Sequence, residues 1–222
     1  LPLSNVADFN AYNEKIQEHE QTSSADNSLW RNSIVVTADD AWTGSMVDGI
    51  DHTSPAEDLS RTLLNASTEE GYHLDIHKIY LLNYNSDAAG QKPEAASDLI
   101  SRINQGSLFT IYFGHGSISD WAFEGLMKPS YISSLANESR YTILGSFSCT
   151  VGRFDMGNET SLSETFIQAS KRGAIASIGA TRETYGSYNR VFAKSVMANA
   201  FFPTGGTLGR AYALAKGLTI QT

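Results

Sequence analysis

Two apolar, β-prone runs in this chain end in reactive side chains. Leu108–Gly116 reads Leu-Phe-Thr-Ile-Tyr-Phe-Gly-His-Gly and stops at His115 between two glycines. Tyr141–Cys149 reads Tyr-Thr-Ile-Leu-Gly-Ser-Phe-Ser-Cys and stops at Cys149. Each run has the pattern of a buried strand. Ile34–Asp39, Asp75–Asn83 and the small-residue run Gly173–Gly179 repeat it. Between the runs lie helical patterns: Ser54 to about Glu70, Glu94–Asn104, Ser130–Asn137, Ser161 to about Lys171, Tyr188–Phe202 and Gly206–Lys216. Strand alternating with helix predicts a doubly wound, mainly parallel α/β sheet with helices on both faces. In such a sheet the strand tips share one edge, where α/β proteins place their sites. Neighbouring strands lie about 5 Å apart, so a thiol and an imidazole at adjacent tips come within reach of each other.

Local signals mark the ends of these elements. Ser54-Pro55-Ala56-Glu57 and Ser161-Leu162-Ser163-Glu164 both read as capping boxes, with Pro55 at the first helical position. Gly71 and Gly106 are placed to stop the helices before them. Asn10–Gln21 is a polar helix and Gln21–Ser28 a linker. We therefore expect residues 1–32 to be a helical lead-in and 33–222 to form one domain.

Composition narrows the function classes. Of 222 residues, 41% are hydrophobic, enough for one sizeable core. A net charge of −8 with no basic run argues against an extended nucleic-acid surface. No apolar stretch approaches the roughly 18 residues of a membrane span. The start, Leu1-Pro2-Leu3-Ser4, is not a signal peptide, and we expect a piece of a longer precursor. A single cysteine excludes an internal disulfide.

That cysteine is the best candidate nucleophile. A lone Cys is more often a small buried hydrophobe. Cys149, however, is followed by a polar, glycine-bearing loop, Thr150–Thr160, and a thiolate is a strong nucleophile at neutral pH. His115 is the candidate base. The backbone N–H groups of Gly116 and Cys149 are placed to stabilise an oxyanion. A third residue that orients the imidazole is sought among Glu57, Asp39 and Asp51, and for Glu57 the capping box already gives a structural reason. Asp39, Asp40, Asp48, Asp51, His52 and Asp58 form an acidic group whose spacing matches no metal-ligand loop. Phosphate-binding loops, paired C-x-x-C, H-E-x-x-H and G-x-S-x-G are all absent from the sequence.

Tyr112-Phe113-Gly114-His115-Gly116-Ser117 with Trp121 after it, and Ser146-Phe147-Ser148-Cys149 before Gly152-Arg153-Phe154-Asp155, resemble the gingipain family of cysteine peptidases, which share a caspase-like fold. The likeness runs from Trp30 to Lys216. Gly173-Ala174-Ile175-Ala176 leading to Ala180–Tyr185, and Asn189 before a long helix, resemble the PorU-type branch of the type IX secretion system. That branch carries Leu-Val where Glu183-Thr184 stands here. The resemblance implies a cysteine endopeptidase with Cys149 as nucleophile, His115 as base, Glu57 as orienting carboxylate and Trp121 at the substrate. It implies a protein or peptide substrate, secretion-system subunits as further partners, and a place at the outer membrane, on the cell surface or outside the cell. It requires no cofactor and leaves room for a structural calcium. For the PorU type it implies removal of C-terminal signal domains, with hydrolysis or transpeptidation as the outcome. A secreted protease of general specificity, a silent binding domain that kept the motif, and a metal-dependent hydrolase built on the acidic loop stay open at this point.

Overall fold

The computed structural model describes residues 3, 5–25, 29–43, 46–201 and 207–219. Its centre is a five-stranded sheet of β1 (Ser33–Ala38), β4 (Asp75–Tyr80), β5 (Phe109–Phe113), β6 (Thr142–Phe147) and β7 (Ala174–Gly179). Every pairing in it is parallel, in the order β4-β1-β5-β6-β7. A small antiparallel pair, β2 (Trp42–Thr43) and β3 (Met46–Val47), leaves the tip of β1.

Burial explains why these runs are strands. All residues of β1 and β5 are buried, because helices cover both faces of the sheet. One face packs Ile34, Val36, Ile111 and Phe147 against Leu59 and Leu63 of α2 (Thr53–Glu69) and Val196 and Met197 of α6 (Gly186–Phe201). The other packs Val35, Ile79 and Leu144 against Leu99 and Ile103 of α3 (Pro93–Gln105) and Phe166 of α5 (Leu162–Gln168). This is the caspase-like, doubly wound arrangement. α7 (Leu208–Thr219) lies against α6 and adds Ala215 to the first face.

The N-terminal helix α1 (Val6–Ala25) runs beyond Gln21, and it packs on α5 and β7. Lys15 is the anchor. Its Nζ donates to the carbonyls of Phe166, Ile167 and Ala169 at the C-terminal end of α5, where helix carbonyls lack partners. Of the expected 21–28 linker, residues 26–28 lie outside the described ones, as do Phe202 and Gly206 at the expected ends of the last two helices.

Several boundaries differ from the sequence pattern for local reasons. The second strand ends at Tyr80, and Leu81–Asn83 turn into a 3-10 helix. Ser130–Asn137 reduces to one turn, α4 (Pro129–Ile132). The Ser161 capping box is present with both reciprocal bonds. The Ser54 box is not. α2 begins two residues earlier, with His52 at the N-cap, and Asp51 Oδ1 accepts the Ser54 N–H at 2.9 Å.

Candidate active site

The order of strands reverses between β1 and β5, the crevice where open α/β sheets bind ligands. Asp39 follows β1 there, and His115 lies two residues beyond β5. On β6, Phe147 pairs in register with Phe113 of β5. His115 and Cys149 therefore stand equally far past a matched pair, on the same edge of adjacent strands.

The close fit depends on glycine. A Cβ on Gly116 would lie 2.6 Å from Ser148 Oγ and 2.7 Å from the Cys149 carbonyl oxygen. The chain after His115 thus passes directly against the backbone of Cys149. The Gly116 and Cys149 N–H groups are not among the donors that the described fold uses. Past Cys149 the backbone turns sharply. Thr150 takes φ 53°, a left-handed conformation costly for a β-branched residue, and Val151 N–H bonds back to the Cys149 carbonyl at 2.7 Å. The Thr150 and Gly152 N–H groups then bind the carbonyls of Arg182 and Ala180, which pins the turn to the segment after β7.

The Cys149 thiol is partly exposed and sits against Thr184, whose carbonyl lies 3.6 Å and whose amide nitrogen 3.4 Å from Sγ. Thr184 also lines a recess of about 380 Å³ between β6, β7, α6 and α7. Phe147, Ile178, Tyr185, Tyr188, Phe192 and Tyr212 form its walls, while Glu183 and Lys216 stand exposed at its rim.

His115 is held from three sides. Its backbone N–H donates to Asp39 Oδ2 at 3.0 Å. Its Nε2 lies 2.9 Å from Asp48 Oδ2. His52 meets the ring edge-on, with centroids 5.0 Å apart. Burial raises the carboxyl of Asp48, but hydrogen bonds from Ile50 N–H, Thr43 and His115 outweigh it, and the group stays below the usual Asp range. Asp39 is pushed up to about 7, chiefly by burial, although the His115 N–H opposes the shift. Burial, helped by the charge of His115, pulls His52 down to about 4. Beyond Asp39, Asp40 is paired with buried Lys92.

The ring's carboxylate partner is thus Asp48, not one of the three acids proposed for that role from sequence. Glu57 binds Lys78 Nζ and Tyr80 OH, each at 2.8 Å, which ties α2 to the edge strand β4. Asp51 caps α2, and Asp39 holds the His115 backbone rather than its ring. Trp121 is also reassigned. It is fully buried between the rings of Tyr112 and Phe166 and donates from Nε1 to Ser146 Oγ at 2.8 Å. It supports the strands beneath the site and offers no surface to a substrate. In the sequence Asp48 is one acid of an acidic loop, and nothing there singles it out as the partner of His115. The fold of the β2–β3 hairpin is what brings it to the ring.

This chain matches the family described as "Peptidase family C25" over residues 1–222. The chain belongs to peptidase family C25. Among solved structures it is similar to the complex of Porphyromonas gingivalis RgpB pro- and mature domains, with a TM-score of 0.70 and 18% identity over 94% of this chain and 48% of that one. The structure of the Arg-specific cysteine proteinase gingipain R is similar with a TM-score of 0.67 and 19% identity over 93% of this chain and 46% of that one. At these identities the C25 chain shares their fold, and it spans less than half of their length. No curated protein sequence matches it.

Proposed function

We propose that this C25 chain is the peptidase domain, or most of it, of an exported cysteine endopeptidase. The observation that carries the reading is the placement of His115 and Cys149 at adjacent strand tips, in register, within a C25 domain. The Cys149 thiol gives its proton to His115, and the sulfur attacks the scissile carbonyl. The Gly116 and Cys149 N–H groups donate to the oxyanion that forms. Collapse expels the amine, which takes the proton from the imidazolium, and leaves a thioester on Cys149. Water then releases the acid, or a second amine releases an amide. Asp48 orients the ring and stabilises its charged form.

The recess beside the thiol receives a substrate side chain. Its aromatic and aliphatic walls suit an uncharged group, since its carboxylate and its ammonium both stand at the exposed rim. The substrate class we favour is the C-terminal signal domain of secreted proteins, removed at the outer membrane or cell surface beside secretion-system subunits. Its support is the PorU-like run Gly173–Tyr185 that shapes this recess. No helix among the described residues is long and apolar enough to cross a membrane.

The test is digestion of a peptide library by the purified protein and by Cys149→Ala, read by mass spectrometry. Cleavage by the parent alone, after uncharged residues, is expected. Equal cleavage by Cys149→Ala would refute the thiol mechanism, and cleavage after Arg or Lys would refute the recess assignment.

A further inference from the structure

We propose that Asp39, His52 and His115 form a site for a divalent cation of the zinc class, and that filling it silences the peptidase. The silencing rests on the function proposed above; the site itself does not. One nitrogen of each histidine and one oxygen of Asp39 lie within 4.8 Å of one another. Zinc holds N and O ligands at about 2.0–2.2 Å in a tetrahedron, so modest side-chain rotation brings three such atoms onto one ion. Two imidazoles and a carboxylate select zinc rather than calcium, which takes six to eight oxygens.

Two further observations point to a ligand. His52 is 9% exposed, and its Nε2 is a buried polar atom with no hydrogen-bond partner. Such an atom carries a desolvation cost of about 1–3 kcal/mol, which a bound cation would remove. The other ring is already braced as metal-binding histidines are. Asp48 engages His115 Nε2 at 2.9 Å and leaves Nδ1 for the ion, giving a carboxylate–histidine–metal relay. Asp39 is free of the neighbouring ammonium, because Lys92 Nζ is taken up by Asp40 and the Leu81 carbonyl. An entry path exists too: Asp39 and His52 line a cavity of about 590 Å³.

The functional consequence follows from His115. With Nε2 on Asp48, Nδ1 is the nitrogen left to take the thiol proton. A cation on Nδ1 abolishes that basicity while leaving Cys149 free. Zinc in this position is a reversible off-switch, distinct from a zinc held by the thiol.

Zinc alone is the probe, titrated calorimetrically into chelator-stripped protein, into Cys149→Ala and into His52→Asn. Asparagine is a favourable N-cap residue, so the last variant keeps the start of α2. One zinc per chain is expected in the parent and in Cys149→Ala, and affinity lower by roughly a hundredfold is expected in His52→Asn. Undiminished binding by His52→Asn, or loss of binding in Cys149→Ala, overturns the site. Co²⁺ spectra of the parent decide independently of any variant: tetrahedral d–d bands without a thiolate charge-transfer band are expected, and a thiolate band overturns the proposal. In the activity arm, zinc should stop peptide cleavage and chelator should restore it. Binding with unaffected cleavage would overturn the off-switch. Cleavage that Cys149→Ala retains would instead sink the underlying peptidase reading while leaving the site intact.

Discussion

His115 Nε2 lies 2.9 Å from Asp48 Oδ2, while the carboxylate of Glu57 is bound by Lys78 and Tyr80. The two acids therefore have different jobs. An orienting carboxylate supports the nucleophile and base without replacing either. We predict that Asp48→Asn lowers turnover about ten- to a hundredfold, or about 1.4–2.7 kcal/mol of barrier, at an unchanged melting midpoint. Glu57→Gln should leave turnover within about twofold. Steady-state cleavage beside a melt of each sample distinguishes them, and the reverse ranking would return the orienting role to Glu57.

Gly116 tests the close approach to Cys149. A methyl group there would meet Ser148 Oγ, the Cys149 carbonyl and Val151, all within 2.9 Å. We predict that Gly116→Ala costs about 1–3 kcal/mol in stability from overpacking. Because the strain falls on an oxyanion donor, turnover should drop about a hundredfold or more. Gly157 has nothing within 4 Å of its would-be Cβ, so Gly157→Ala should match the parent in both assays.

Stability should respond to pH through two opposed groups. His52 titrates near 4 in the folded chain and near 6.5 when unfolded, so the unfolded state binds more protons between these values and stability rises with pH there. Asp39 titrates near 7 when folded and near 3.8 when unfolded, so its contribution falls as pH rises across that window. The two largely offset each other from pH 4 to 6.5. His52→Asn removes the rising part. Its denaturation free energy should fall, relative to the parent, by about 3 kcal/mol as pH goes from 4 to 6.5. A difference independent of pH would show that His52 is not held neutral.

How legible was this molecule? The parallel sheet was readable because Ile34–Ala38 and Leu108–Phe113 are β-prone, mostly apolar runs broken only by Thr37 and Thr110, and burial on both faces demands such runs. His115 and Cys149 stood out because each ends one of them. Asp48 was not readable, since its contact with His115 depends on the path of a hairpin with no periodicity of its own. Glu57 owed its orienting role to the family resemblance alone, and the capping box that gave it a structural reason is displaced by two residues, with His52 at the N-cap and Asp51 accepting the Ser54 N–H. Trp121 at the substrate was likewise an implication of the resemblance, and the sequence does not show that its ring enters the core between Tyr112 and Phe166.

Lys15 shows the same limit from the opposite direction. It lies on a polar helix, yet it is 1% exposed and donates to three carbonyls of the domain. Burial draws its amine down to about 7. We predict that Lys15→Ala, which leaves those carbonyls unpaired, destabilises the chain by about 2–4 kcal/mol. Chemical denaturation checks this, and a change below about 0.5 kcal/mol would show that α1 is not integral to the fold.

The central claim is that acyl transfer passes through the single thiol of the chain. Intact-mass analysis of the protein, acid-quenched during turnover of a cleaved peptide, measures this directly. The account predicts an acyl adduct that maps to Cys149, absent after iodoacetamide treatment, which also abolishes cleavage. Undiminished cleavage by fully alkylated protein, with no adduct at any time, would contradict it.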